Sequence, residues 1–275
     1  MNRRTFLAGT GTVTLTGVAG CLGTFAGGTP SSSGAVGPTN DDGLPADGNP
    51  NDGYPPAFEE TPEQRSIDTA SFETVDRGGT TVSLVPIDVA YYWYARGEAR
   101  FADTRGSTSY NRSHIYGAVL STAPDGLESN DPIAAWPTTD RIVCYCACPN
   151  HMSSLRAAGL LSDGYEEVYA IEEGYTEWQN RKYPMAGEDV ESRPNVRLIE
   201  GKSDLQYVGE TAWARHEPRG QREATAIADD GSYRLELRST DITDKSIIAV
   251  QTPDYRVEAP LGDLTKQIVT GESSA

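Results

Sequence analysis

Between residues 82 and 184 the chain alternates short apolar runs with stretches whose apolar positions return every three or four residues. Val82-Ser83-Leu84-Val85, Ile142-Val143-Cys144-Tyr145 and Val168-Tyr169-Ala170-Ile171 are short, apolar and rich in β-branched or aromatic residues, so each is predicted to be a buried strand. Arg100-Phe101-Ala102-Asp103 predicts a fourth. Val89 to Arg96 predicts a helix, with Pro86 suited to its first turn. Ser153 to Leu161 predicts another, with Leu155, Ala158 and Leu161 on one face and Gly164 as its terminator. Gly174 to Arg181 predicts a third. Ser109 to Arg112 reads as one helical turn, His114 to Val119 as extended, and Leu127 to Trp136 is ambiguous because Pro132 interrupts it. Strands alternating with helices predict an α/β domain with a largely parallel sheet, here over residues 58–188.

The helical period vanishes after Arg193. Val196 to Ile199, Gln206 to Ala214, Ala224 to Ala228, Tyr233 to Leu237, Ile247 to Val250 and Tyr255 to Glu258 are strand candidates. Tyr233 to Leu237 alternates cleanly, behind a turn at Asp229-Asp230-Gly231-Ser232. Residues 193–270 are therefore expected to form a small all-β sandwich. No catalytic constellation is visible there, so the expectation is a spacer or interaction module that offers a surface to a protein partner. His216 is a lone surface or structural histidine.

Residues 22–57 carry no hydrophobic period and are rich in Gly, Pro, Ser, Asn and Asp, the composition of a disordered tether. Ahead of it, Arg3-Arg4-Thr5-Phe6-Leu7 resembles a twin-arginine export signal. The weakly apolar stretch after it is too short and polar to span a bilayer. It ends Val18-Ala19-Gly20-Cys21, which resembles a lipobox, so residues 1–21 are expected to be a signal and Cys21 the lipidated residue. The expected location is the outer face of the cytoplasmic membrane, held there through the lipid.

The formal charge is −17, with 40 acidic against 23 basic residues. That balance argues against nucleic acid, whose phosphates need Lys and Arg. It fits an acidic, hydrated surface of the kind halophiles carry. Of the four cysteines, three fall within five residues, Cys144, Cys146 and Cys148, which is no disulfide framework. No metal site is expected, because neither a His-x-x-His nor a second cysteine pair accompanies them. No cofactor is expected either. Cys146 and Cys148 lie where a predicted strand hands over to a predicted helix, whose unpaired N–H groups favour a thiolate. Cys144, inside the strand, reads as a small core residue.

These segments, taken together, resemble the rhodanese-like sulfurtransferases. The matching stretches run in order through Arg100 to Arg105, Tyr110, Ser113 to Ala118, Ile142 to Cys146, Gly164 to Tyr169, Glu172-Glu173-Gly174, Trp178 and Tyr183-Pro184-Met185. The resemblance implies a rhodanese-like α/β fold and a loop cysteine that attacks a small sulfur donor, becomes a persulfide and passes sulfur to a thiol or another nucleophile. It makes Cys146 and Cys148 the catalytic candidates. Counting from the strand selects Cys146; counting back from the helix selects Cys148. Ala147, Pro149, Asn150, His151, Met152, Ser153 and Ser154 would form the substrate-binding loop. That loop is about two residues longer than the family's and has no cation before Arg156, which argues against thiosulfate as donor. The missing loop arginine also argues against phosphatase chemistry. Asp103 and Arg105 are expected to pair structurally, and His114 to make a structural hydrogen bond. Ala226 to Leu237 resembles the carboxypeptidase-regulatory-like β-sandwiches. Two other roles stay open: an inactive rhodanese-fold binding module, and a Cys-x-Cys thiol redox protein.

Overall fold

A computed structural model describes residues 52–58, 60–239 and 241–273. The signal, Cys21 and the tether up to residue 51 lie outside the described residues.

The α/β region carries strands β1 (Glu73–Arg77), β2 (Thr80–Val85), β3 (Arg100–Asp103), β4 (His114–Ile115), β5 (Val119–Leu120), β6 (Arg141–Tyr145), β7 (Glu167–Ile171) and β8 (Met185–Ala186). Its helices are α1 (Ile87–Ala95), α2 (Ser107–Arg112), α3 (His151–Ser162) and α4 (Tyr175–Asn180). Six strands form one mixed sheet in the order β1-β2-β7-β6-β3-β5. Only the β1–β2 hairpin is antiparallel; the other pairings are parallel. β4 and β8 pair separately.

The period of two along each central strand sends alternate side chains to opposite cores. On β6, Val143 and Tyr145 join one cluster while Ile142 and Cys144 join the other. On β7, Tyr169 and Ile171 divide from Val168 and Ala170 in the same way. Burial on both faces is why these strands read as unbroken apolar runs. The first core is aromatic: Tyr94 stands edge-on to Trp178 at 5.1 Å and to Phe101 at 5.3 Å. Tyr91 stacks on Tyr183 at 3.7 Å.

Two expectations shift. Residues 52–57, expected to belong to the tether, lie against the α/β region. The Phe101 N–H donates to the Gly53 carbonyl, Trp136 Nε1 donates to Asp52 at 2.9 Å, and Arg100 pairs with Asp52 at 3.2 Å. The extended run from His114 to Val119 is broken by Gly117 at φ +90, where a Cβ would lie 2.3 Å from the Tyr54 carbonyl oxygen.

The C-terminal region carries β9 (Val196–Lys202), β10 (Thr211–His216), β11 (Gln221–Ala226), β12 (Ser232–Arg238), β13 (Ile247–Gln251), β14 (Arg256–Pro260), a short helix α5 (Leu261–Leu264) and β15 (Ile268–Val269). They form two sheets, β11-β10-β13-β14 and β12-β9-β15. Both contribute to one core: Ala212, Ala214, Ile248 and Val250 from the first, Ile199, Leu235 and Leu237 from the second. Its β11 packs on α3 of the α/β region.

Candidate active site

β6 ends at Tyr145 beside β3 and β7, and the chain turns out of the sheet at Cys146. Residues beyond the carboxyl end of a parallel strand are where open α/β sheets place their chemistry. The turn is pinned from α4: Tyr175 N–H donates to the Cys146 carbonyl at 2.8 Å, and Thr176 donates to the Ala147 carbonyl through its N–H at 3.1 Å and its hydroxyl at 2.7 Å. Asn150 is left-handed at φ +37 and leads into α3, whose first residue is His151. The helix therefore starts two residues before the predicted Ser153, which brings Met152 and Ser153 into its amino-terminal turn.

Cys146 is wholly buried. Its Sγ lies 3.5 Å from the Ser153 hydroxyl and 3.2 Å from the Cys148 carbonyl oxygen. Burial works to raise the Cys146 thiol. Hydrogen bonds from Cys148, from the Ser153 hydroxyl and from the Ser153 and Met152 N–H groups outweigh it, and hold the thiol below its ordinary value. Cys148 moves the opposite way. Its bond to Cys146, its burial and the Glu223 charge all favour its thiol form. The thiol proton thus belongs to Cys148 and the negative charge to Cys146. Cys144 is a core residue whose burial pushes its thiol up to about 12.

Cys148 Sγ approaches His151 Nδ1 at 3.4 Å and Glu223 Oε1 at 3.7 Å. Glu223 comes from β11 and is buried; burial first, then the Cys146 charge, push its carboxyl up to about 8. Burial, then Arg77 and Arg238, hold His151 below its ordinary value. Of the other loop residues, Met152 packs against Ala224, Ala123 and Cys146. Ser154 accepts from Arg77 Nε at 2.8 Å and donates to the Asn150 carbonyl. Pro149 is exposed and Asn150 half-buried.

Sequence reasoning found the cysteines and the loop but missed Glu223, Arg77 and Arg238. They arrive from β11, β1 and β12, and no local spacing ties those strands to the loop. Arg156, the first cation after the loop, is buried away from it, with Nε on Ser121 at 2.9 Å. The cations stand elsewhere: Arg105, Arg112, Arg193 and Arg238 line a cleft of about 220 Å³ that reaches Ala147. Asp103 and Arg105 do pair, buried, at 2.6 Å. His114 stacks on Tyr110 and shares a hydrogen bond with the Tyr110 carbonyl at 2.7 Å. His216 is buried rather than on the surface.

Residues 89–181 match the profile of the rhodanese-like domain. Among solved structures, the chain is similar to a rhodanese-like domain from Anabaena sp., at 21% identity and a TM-score of 0.36, over 44% of this chain and 87% of that one. It is similar to a thiosulfate sulfurtransferase from Pseudomonas aeruginosa, at 18% identity and a TM-score of 0.33, over 39% of this chain and 20% of that one. It is also similar to a rhodanese with anions from E. coli, at 19% identity and a TM-score of 0.27, over 32% of this chain and 96% of that one. The strand, cysteine loop and helix that build this site lie inside the matched stretch, and residues 89–181 of this chain are a rhodanese-like domain.

Proposed function

We propose that this protein is a rhodanese-like sulfurtransferase or persulfide carrier with Cys146 as the sulfur acceptor. One observation carries the reading. Cys146, at the carboxyl end of β6, is the loop thiol whose neighbours donate hydrogen bonds to it and favour its thiolate. The thiolate attacks the outer sulfur of a thiosulfate or polysulfide donor. A Cys146–sulfur bond forms, the donor's S–S bond breaks, and its electron pair leaves with sulfite or the shortened polysulfide. A second nucleophile, such as a thiolate or cyanide, then takes the outer sulfur, and the Cys146 thiolate returns. Cys148 keeps its proton as a donor to the sulfur on Cys146.

The cleft beside Ala147 supports an anionic donor: it is lined by Arg193 as well as by Arg105, Arg112 and Arg238, whose guanidinium groups are paired with acidic residues, and the loop itself has no cation. The C-terminal strands, read as a small β-sandwich, would cover the loop and offer the outer surface to a protein partner. Export through the Arg3-Arg4 signal and lipid anchoring at Cys21, on the outer face of the cytoplasmic membrane, belong to the same proposal. They rest on the sequence pattern alone.

The test is mass spectrometry of the purified chain after exposure to polysulfide and, separately, thiosulfate. An added-sulfur adduct is expected on the loop peptide, kept in Cys148→Ser and lost in Cys146→Ser. If neither donor leaves an adduct while both thiols are free, the reading fails. A second reading is favoured by the complete burial of Cys146 under β11. It is an inactive rhodanese fold used for binding, in which neither cysteine takes up sulfur.

A further inference from the structure

Three side chains of different chemistry meet behind the loop. Cys148 comes from the loop, His151 from the first turn of α3, and Glu223 from β11 in the C-terminal region. Their Sγ, imidazole nitrogen and carboxylate oxygen all lie within 4.8 Å of one another. Cys148 and Glu223 are buried and His151 is half-buried. The Cys148 thiol donates to Glu223 Oε1 at 3.7 Å and shares a contact with His151 Nδ1 at 3.4 Å.

A catalytic triad does not fit this arrangement. The carboxylate contacts the thiol rather than the imidazole, so it cannot orient the histidine as a base. A metal ion fits better. With Zn–S near ~2.3 Å and Zn–N near ~2.0–2.1 Å, the edge of a tetrahedral site between those two atoms is about 3.5 Å. The Cys148 Sγ to His151 Nδ1 separation of 3.4 Å is close to that length, and the 3.7 Å from Sγ to Glu223 Oε1 is close to the similar sulfur–oxygen edge.

We propose that Cys148, His151 and Glu223 form a zinc-class metal site that clamps the C-terminal region onto the cysteine loop. A thiolate and a carboxylate around a divalent ion give a neutral centre, which a buried site requires. The mixture of thiolate, imidazole and carboxylate suits zinc over calcium or magnesium, which take oxygen ligands. Binding breaks the Cys148 S–H bond and, where Glu223 is protonated, its O–H bond: the sulfur and the carboxylate oxygen keep the electron pairs and donate them to the metal, and the protons go to solvent. Three protein donors leave the fourth tetrahedral position to water or a ligand. A route inward exists, because Cys148 also lines an open cleft with Glu73, Glu172, Glu173 and Glu177, whose charges favour an approaching cation. Of the positive charges that act on the three donors, Arg238 is paired with Glu236 at 2.6 Å and Arg77 donates to Ser154 at 2.8 Å. The sequence hid the site because its third donor lies 75 residues from Cys148.

Cys146 is not one of the donors, so metal binding is read without sulfur transfer; a bound ion would take the place of the Cys148 proton that hydrogen-bonds to Cys146, and the metal-loaded and metal-free forms would then differ in sulfur uptake. The full chain, reduced and stripped with chelator, is given Zn²⁺ or Co²⁺ and desalted, and bound metal is measured by elemental analysis. One ion per chain is expected, with thiolate-to-cobalt absorption in the Co²⁺ form. Chelator competition should show binding weakened by roughly tenfold or more in Glu223→Gln and His151→Ala, and abolished in Cys148→Ser. Cys146→Ser should bind as the wild type does. Glu223→Gln keeps the side chain's shape, so a loss there reports the missing ligand charge. The proposal is overturned if the wild type retains no ion, or if Glu223→Gln and His151→Ala bind as tightly as the wild type. It is overturned too if Cys146→Ser loses the ion, which would assign binding to the cysteine pair alone.

Discussion

One proton distinguishes Cys146 from Cys148. Both are buried and hydrogen-bonded to each other, and the Ser153 and Met152 groups favour the charge on Cys146 while Glu223 disfavours it on Cys148, so the protein stabilises one negative charge and one thiol rather than two of either. The sign of the pH dependence follows. A thiol with its pKa depressed below the ordinary 9.0 is protonated and unreactive at low pH. Sulfur uptake should therefore climb tenfold per pH unit while Cys146 is a thiol, and level off once it is a thiolate. The level region should begin well below pH 9. Ser153→Ala removes a donor to the sulfur, raises the Cys146 pKa and lowers the rate at neutral pH. Thiolate absorbance in the ultraviolet, taken as wild type minus Cys146→Ser across pH, reads the same titration without needing access to the sulfur. A midpoint at or above 9 would contradict it. At this scale the sequence was partly legible. Cys146 stood out because it ends an apolar strand, and Asp103 with Arg105 because they are two residues apart. Glu223 did not stand out, because a glutamate in a short polar strand gives no sign that it is buried.

Among the elements, the loop's shape depends on α4 as much as on α3. Gly174 precedes α4 at φ +78, and a Cβ there would lie 2.6 Å from the Cys148 carbonyl oxygen and 3.1 Å from that of Cys146. The backbone angle and the space both demand glycine. Gly174→Ala should cost roughly 2 kcal/mol or more, lowering the melting temperature by about 4–8 °C. It should also slow sulfur uptake, because the carbonyl that must move belongs to the loop. Calorimetry beside an uptake assay checks both, and an unchanged melting temperature would mean the turn is not held as described. Elements with a clear period were legible: β2, β3, β6, β7, α1 and α3 each lie within a few residues of their predicted spans. β1 was not, because it is a largely exposed edge strand whose turn glycines, Gly78 and Gly79, sit in open space. β15 is two residues long and forms only by pairing in parallel with β9, a contact no local pattern encodes.

The whole molecule poses a problem of access. Cys146 is wholly buried, and part of its cover is Ala224 of β11, which packs with Met152 and Ala123 against it. Arg222 reinforces the cover by donating to the Ala123 carbonyl at 2.9 Å. If Cys146 takes up sulfur as proposed and is reached from this side, β11 must part from the loop, and the fraction of time it is open scales the observed rate. Two separately readable regions, a parallel α/β layer and an all-β tail, gave no sign of this, because the contact arises only when the edge strand of one meets the helix of the other. The consequence can be measured with a small neutral alkylating reagent on the folded chain. Wild-type Cys146 should react far more slowly than a free thiol at the same pH. Ala224→Phe adds a ring where there is room for a methyl group, a misfit worth about 1–3 kcal/mol, and the cheapest relief is to tip β11 away. Alkylation of Cys146 should then speed up by about tenfold for each 1.4 kcal/mol transferred to opening, with far-ultraviolet circular dichroism unchanged. Arg222→Ala, which removes one hydrogen bond and leaves the apolar contact, should act in the same direction and more weakly. If all three chains alkylate at the same slow rate, opening does not pass through β11, and the donor must reach Cys146 from the arginine-lined side at Ala147 instead.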